Sequence, residues 1–145
     1  MNKVVSALVL VMIFGLASAA NAEKKSDALK DLVKSYEKVS AALVNDDMKA
    51  AKVASVEFEK AAKAAEHVKL VESIAKFGKG KTLKAMRAEY KATSKEVVKL
   101  VHNKDEYFVM TCPMAKADWV QTSEKISNPF MGKRMPACGR LKANH

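Results

Sequence analysis

Aromatic residues are scarce in this 145-residue chain, at 6% of the total, and only one of them is tryptophan. Single-stranded nucleic acids are held by aromatic side chains interleaved with basic ones. Here the lysines lie along alanine-rich stretches with no aromatics between them, so the net charge of +10 reads as a solvated basic surface. The alternative to a merely solvated face is one that meets an acidic partner protein or an anionic membrane surface, and nucleic acid is not expected. Cysteine is limited to two residues and histidine to three. The cysteines do not form the C-x-x-C of a thioredoxin-like redox site or a C-x-x-C-H haem attachment, and a zinc ribbon would need a second pair. The scattered histidines offer no triad and no carboxylate pair stands out, so the chain is not expected to be an enzyme. His67 and His102 lie near helix ends with no second ligand at helical spacing.

Long apolar runs are missing except at the N-terminus. Met1-Asn2-Lys3 gives a short positive start, Val4 to Leu16 an apolar run, and Ala20-Asn21-Ala22 a small-x-small cleavage pattern. Residues 1–22 therefore read as a cleavable signal peptide, with no cysteine near the cleavage site to carry a lipid anchor. The apolar run is shorter than the about 20 residues that a membrane span needs. Export to a periplasm is the expectation, with no stable membrane insertion after cleavage. Residues 23–145 are then a single domain in an oxidising compartment.

From Ser26 to Val101 the periodicity is helical. Leu29, Leu32, Val33, Tyr36, Val39 and Leu43 fall on one face of a first helix, with Ser26 as its expected N-cap. Asn45-Asp46-Asp47 breaks the pattern, both aspartates reading as caps, and a second helix follows from about Asp47 to Ala65. A shorter helix from about Glu66 to Phe77 ends at Gly78-Lys79-Gly80, and Thr82 caps a fourth that carries Met86, Tyr90 and Val97 inward. Met48 and Met86 read as core filler. The expected fold class is all-α: an antiparallel helical bundle with an irregular C-terminal cap over about residues 106–145. In the cap, Tyr107 to Met110 reads as a strand or extended segment and Ala117 to Lys125 as a short helix.

That cap holds the chemistry. Both cysteines, all three prolines, the tryptophan and four of the eight methionines lie between Met110 and Cys138. Cys112 and Met114 share a side of an extended segment, and Met135 and Cys138 share a side of one helical turn. Two such pairs facing each other make a site of two thiolates and two thioethers. Such donors suit Cu(I) or Ag(I), whereas zinc prefers cysteine with histidine. Met110 and Met131 are further thioethers within reach, and His145 is a weaker candidate. The competing reading is a Cys112–Cys138 disulfide, with methionines merely filling gaps in the cap. The two states are compatible, because a labile disulfide opens to two thiolates on reduction.

The motif order Cys112-Pro113-Met114-Ala115, Asp118-Trp119-Val120, Asn128-Pro129-Phe130-x-Gly132 and Met135-x-x-Cys138-Gly139 resembles a family of bacterial periplasmic domains of unassigned function. Members occur alone or fused to the periplasmic adaptor subunits of copper and silver efflux systems. Leu43 to Asp47 and Ser94 to Val101 also resemble its helical part. The chain departs from that pattern at Met131, where an aromatic residue is commoner, at Met110, and in a short Ala115–Trp119 segment. The resemblance implies a helical bundle with a metal-associated cap, Cys112, Met114, Met135 and Cys138 as ligands, and an efflux adaptor as partner. The expected function is periplasmic Cu(I)/Ag(I) binding for sequestration or hand-over. The alternative is a disulfide-braced helical interaction module that binds an acidic partner and no metal.

Overall fold

The computed structural model describes the backbone of residues 4–142 and the side chains of residues 20–142. Met1 to Lys3 and His145 fall outside the described residues. Four helices come first: α1 (Val4–Val44), α2 (Met48–Ala64), α3 (Val68–Gly78) and α4 (Leu83–Leu100). Three strands follow, β1 (Phe108–Cys112), β2 (Ala117–Gln121) and β3 (Arg140–Leu141), with a 3-10 turn at Gly132–Arg134 before the last. Among the described residues no helix is long and apolar enough to cross a membrane.

The helix ends follow local chemistry. Asp47 accepts from the Ala50 N–H at 2.8 Å to cap α2, and Thr82 accepts from Ala85 N–H at 3.1 Å to cap α4. Between α1 and α2 the chain turns through Asp46 at φ 55°, with Asp47 N–H donating back to Ala42 O at 2.9 Å. Ser26 does not cap anything: α1 passes through it without a break. Residues 16–25 contain no proline or glycine and are rich in alanine, the best helix former, so nothing stops the helix there.

The expectation of an all-α bundle is overturned, because the C-terminal third forms an antiparallel sheet of order β2-β1-β3. The segment from Ala117, expected as a short helix, is β2 instead. It pairs with β1 in a register that sets Met110 against Trp119 and Cys112 against Ala117. Trp119 and Val120 favour a pleated, half-buried surface, and both are fully covered there. On the other edge of β1, β3 pairs Leu141 with Met110 and Arg140 with Thr111.

The sheet continues the core of the helices. Tyr36 and Tyr90 stack with ring centroids 5.3 Å apart, and Phe58 and Phe77 close around them. Phe130 then bridges outward, 5.8 Å from Tyr90 and 6.2 Å from Trp119. The buried tyrosine hydroxyls are satisfied by Ser94 and Ser40, as buried polar groups must be. Met86 is fully buried in this core, whereas Met48 is only half-buried at its edge. Val120 N–H donates to the Tyr36 hydroxyl at 3.4 Å, and Glu37 accepts from Thr122 N–H at 2.6 Å, so helices and sheet form one hydrogen-bonded body.

Candidate metal centre

Cys112 is the last residue of β1 and is fully buried. Pro113, which cannot continue the ladder, starts a tight turn in which Lys116 N–H donates to Pro113 O at 3.2 Å. Lys116 takes φ 49° to close it into β2. The turn brings Ala115 N–H back onto the Cys112 sulfur at 3.4 Å. From α4, Lys91 Nζ donates to Ala115 O at 2.5 Å and holds the turn against the helices.

Cys138 arrives from the other side. Its N–H donates to Met135 O at 3.1 Å in a turn that follows the 3-10 segment. Gly139 then runs at φ 140°, and a Cβ there would lie 2.7 Å from the Trp119 ring and 3.0 Å from Thr111 O. Only glycine lets the chain beside Cys138 lie this flat on β1. Asn128, with no exposed surface, fixes the same stretch from below. Its side-chain amide donates to Cys138 O at 2.5 Å, while its Oδ1 accepts from Phe130 N–H at 2.8 Å and Met131 N–H at 3.2 Å.

The result is a small sulfur cluster. The Cys112 and Cys138 Sγ atoms are 3.2 Å apart, well beyond the about 2.05 Å of a disulfide, and both cysteines are free. Met114 Sδ lies 3.9 Å from Cys138 Sγ, on a side chain that is 64% exposed. Three of the four expected ligands thus come together. Met135 shares the Cys138 turn, but among the described residues its sulfur is not hydrogen-bonded to either cysteine thiol. Met110 is packed into the core, 2% exposed, and Met131 is half-buried against the same core. Among the described residues, neither is hydrogen-bonded to the cysteine pair.

The two thiols are electrically unequal. Burial pushes the Cys112 thiol up, but Ala115 N–H, the Cys138 thiol, Asn128 and Met114 N–H all stabilise its anion and together bring it below the ordinary thiol range. Cys138 is pushed up, first because its proton is held in a hydrogen bond to Cys112, then by burial and by the Cys112 charge. Cys112 is therefore the first to ionise, with Cys138 donating to it. The donor set fits a soft ion: two thiols and a thioether, with no group of three or more His, Cys, Asp or Glu among the described residues.

A second node fastens this region to the helices. Arg87 on α4 donates through Nε to Pro129 O at 2.9 Å, and through its terminal nitrogen to Leu43 O and Asp46 Oδ1, each at 2.5 Å. Asp46 Oδ2 also accepts from Lys133 N–H at 3.1 Å. Asp46, read from the sequence as a helix cap, is instead a tie between the first turn of the bundle and the 3-10 segment. Asn128, Lys91 and Gly139 were likewise not singled out as site residues. Asn128-Pro129 does carry a turn signal, but nothing local marks its amide as the support of Cys138.

No family profile, curated protein or solved structure matches the chain.

Proposed function

We propose that the protein binds a soft monovalent metal ion, Cu(I) or Ag(I), through Cys112, Cys138 and Met114, and sequesters it or passes it on to an efflux system. The observation that carries this reading is the approach of the three sulfurs, 3.2 Å between the thiols and 3.9 Å from Cys138 to Met114. Exposure falls in the order Met114, Cys138, Cys112. An incoming ion would meet the neutral thioether first, then the Cys138 thiol, and last the buried Cys112 sulfur, whose thiolate is the strongest donor of the three. Metal–thiolate bonds are about 2.3 Å long for zinc and of that order for copper, so the pair has to open slightly to grip an ion. The half-buried turn at Cys138 is freer to give than the end of β1. Binding displaces the Cys138 proton, so affinity falls as the pH is lowered. The motif resemblance adds the expectation of an exported protein working beside a copper or silver efflux adaptor.

Competition with a chromophoric Cu(I) chelator tests this. One ion per reduced chain is expected, with retention lost in the Cys112→Ser, Cys138→Ser double variant. Equal Cu(I) retention by that variant would refute the proposal.

The same proximity supports a second reading, a Cys112–Cys138 disulfide bracing a module that binds no metal. Thiol counting on protein isolated from an oxidising compartment separates the two. Permanently oxidised cysteines that resist glutathione favour the brace.

A further inference from the structure

A groove adjoins the sulfur cluster, and Cys112 itself forms part of its lining. It has a volume of about 480 Å³ and runs between α4 and the β1–β2 hairpin. Lys91, Ala92, Lys95 and Val98 make its helical wall, and Pro113 and Lys116 belong to the wall opposite. From Lys91 to Val98 the helix rises about 10 Å at 1.5 Å per residue. That length takes about three residues of extended chain. Ala92, Val98 and Pro113 supply apolar surface to the walls, and Lys91, Lys95 and Lys116 supply positive charge. Lys95 and Lys116 are exposed, and among the described residues neither ammonium has a hydrogen-bond or ion-pair partner. The one acidic side chain in the lining, Asp118, meets Lys142 at 2.5 Å.

We propose that this groove docks a short, extended, acidic segment of a partner protein, its carboxylates on Lys95 and Lys116. A small anion would satisfy the lysines but leave the Ala92, Val98 and Pro113 surface uncovered, whereas a peptide meets both. Docking also reaches the sulfur cluster. Lys91 Nζ now holds Ala115 O, and Ala115 N–H holds the Cys112 sulfur. A third carboxylate of the segment that draws Lys91 away loosens the turn which holds the Cys112 sulfur, so the acidic partner is the one to which the metal is surrendered. This last step rests on the metal-binding reading; the docking does not.

The test uses the reduced, metal-free protein, isotope-labelled, and a blocked peptide with a Glu-Asp-Glu centre, its Gln-Asn-Gln counterpart serving as the neutral control. Amide shifts confined to the groove, around Lys91, Lys95 and Lys116, are expected. Affinity should fall about tenfold in a Lys95→Glu, Lys116→Glu variant and by less than about twofold in Lys49→Glu, Lys60→Glu on α2, as for local charge complementarity. Shifts spread over the whole basic surface, equal losses in the two variants, equal binding of the neutral peptide, or citrate binding the same residues as tightly would each overturn the docking site. In a second arm, the Ag(I)-loaded protein transfers its ion to a chelator. The acidic peptide should speed transfer in the parent protein and not in Lys95→Glu, Lys116→Glu. Docking without faster transfer overturns the release step alone, and failure to retain Ag(I) at all counts against the metal-binding reading while the first arm stands.

Discussion

The side-chain amide of Asn128 donates to the main-chain carbonyl of Cys138 at 2.5 Å, from a position with no exposed surface. It links two turns ten residues apart and thereby sets where the second thiol stands. Asn128→Ala leaves the Cys138 carbonyl and the N–H groups of Phe130 and Met131 without that partner. The expected cost is about 2–4 kcal/mol of stability, as for other buried polar networks that lose one member. Asn128→Asp keeps the acceptor but loses the donor, so it should retain the Phe130 turn while weakening Cu(I) binding. Chemical denaturation and chelator competition on both variants check this.

The Asp46–Arg87 tie makes stability depend on acid. The Arg87 hydrogen bond, opposed by burial and aided by Lys133, holds the Asp46 carboxyl below the usual carboxylate range. A depressed value in the folded state contributes stability above the unfolded-state pKa, and that contribution disappears as pH falls through the folded value. Unfolding free energy should therefore drop below about pH 4. Asp46→Asn should flatten that slope and cost about 1 kcal/mol near neutrality, since the pair is partly exposed and screened. A slope unchanged by the substitution would remove Asp46 from the account.

Thiol reactivity should show the inequality of the pair. Cys138 is held above the ordinary thiol range by Cys112, so deleting that partner frees it. In Cys112→Ser the pH profile of Cys138 alkylation should move to lower pH than in the parent protein. In Cys138→Ala the remaining Cys112 loses one of its donors, and its profile should move to higher pH. Rates followed by mass spectrometry under denaturant-free conditions read both shifts. Unmoved profiles would mean that the thiols do not share a proton.

Gly139→Ala asks for a side chain at φ 140°, against the Trp119 ring and Thr111 O. Strain at such a position costs about 1–3 kcal/mol. The emission of Trp119, the only tryptophan, should change as its ring is displaced. A silent spectrum together with parent stability would contradict the close approach described here.

Much of the helical part was legible because its signals are local. Apolar residues three and four apart set the inner faces of α1 to α4, and Asp47 and Thr82 cap where their side chains suggest. Ser26 misled because a good N-cap residue stops nothing when the preceding residues are themselves strong helix formers. The sheet was not legible for a different reason. Ala117 to Gln121 is too short for its period to separate helix from strand. Its state is decided by pairing with β1, across a turn that depends on Lys116 adopting a positive φ. β3 is only two residues long and gains its place from Met110 and Thr111, some thirty residues earlier. In the site, the spacing of Cys112 and Met114 and of Met135 and Cys138 pointed to sulfur chemistry. The support from Asn128 and Lys91 arises between segments distant in sequence, where no periodicity operates.

X-ray absorption at the copper edge of the reduced, Cu(I)-loaded protein tests the central claim most directly, because it counts the atoms bound to the ion. The account predicts a shell of sulfur alone, reduced by one scatterer in Met114→Leu and dismantled in Cys138→Ser. A shell of nitrogen or oxygen, or a sulfur shell that survives Cys138→Ser unchanged, would contradict it.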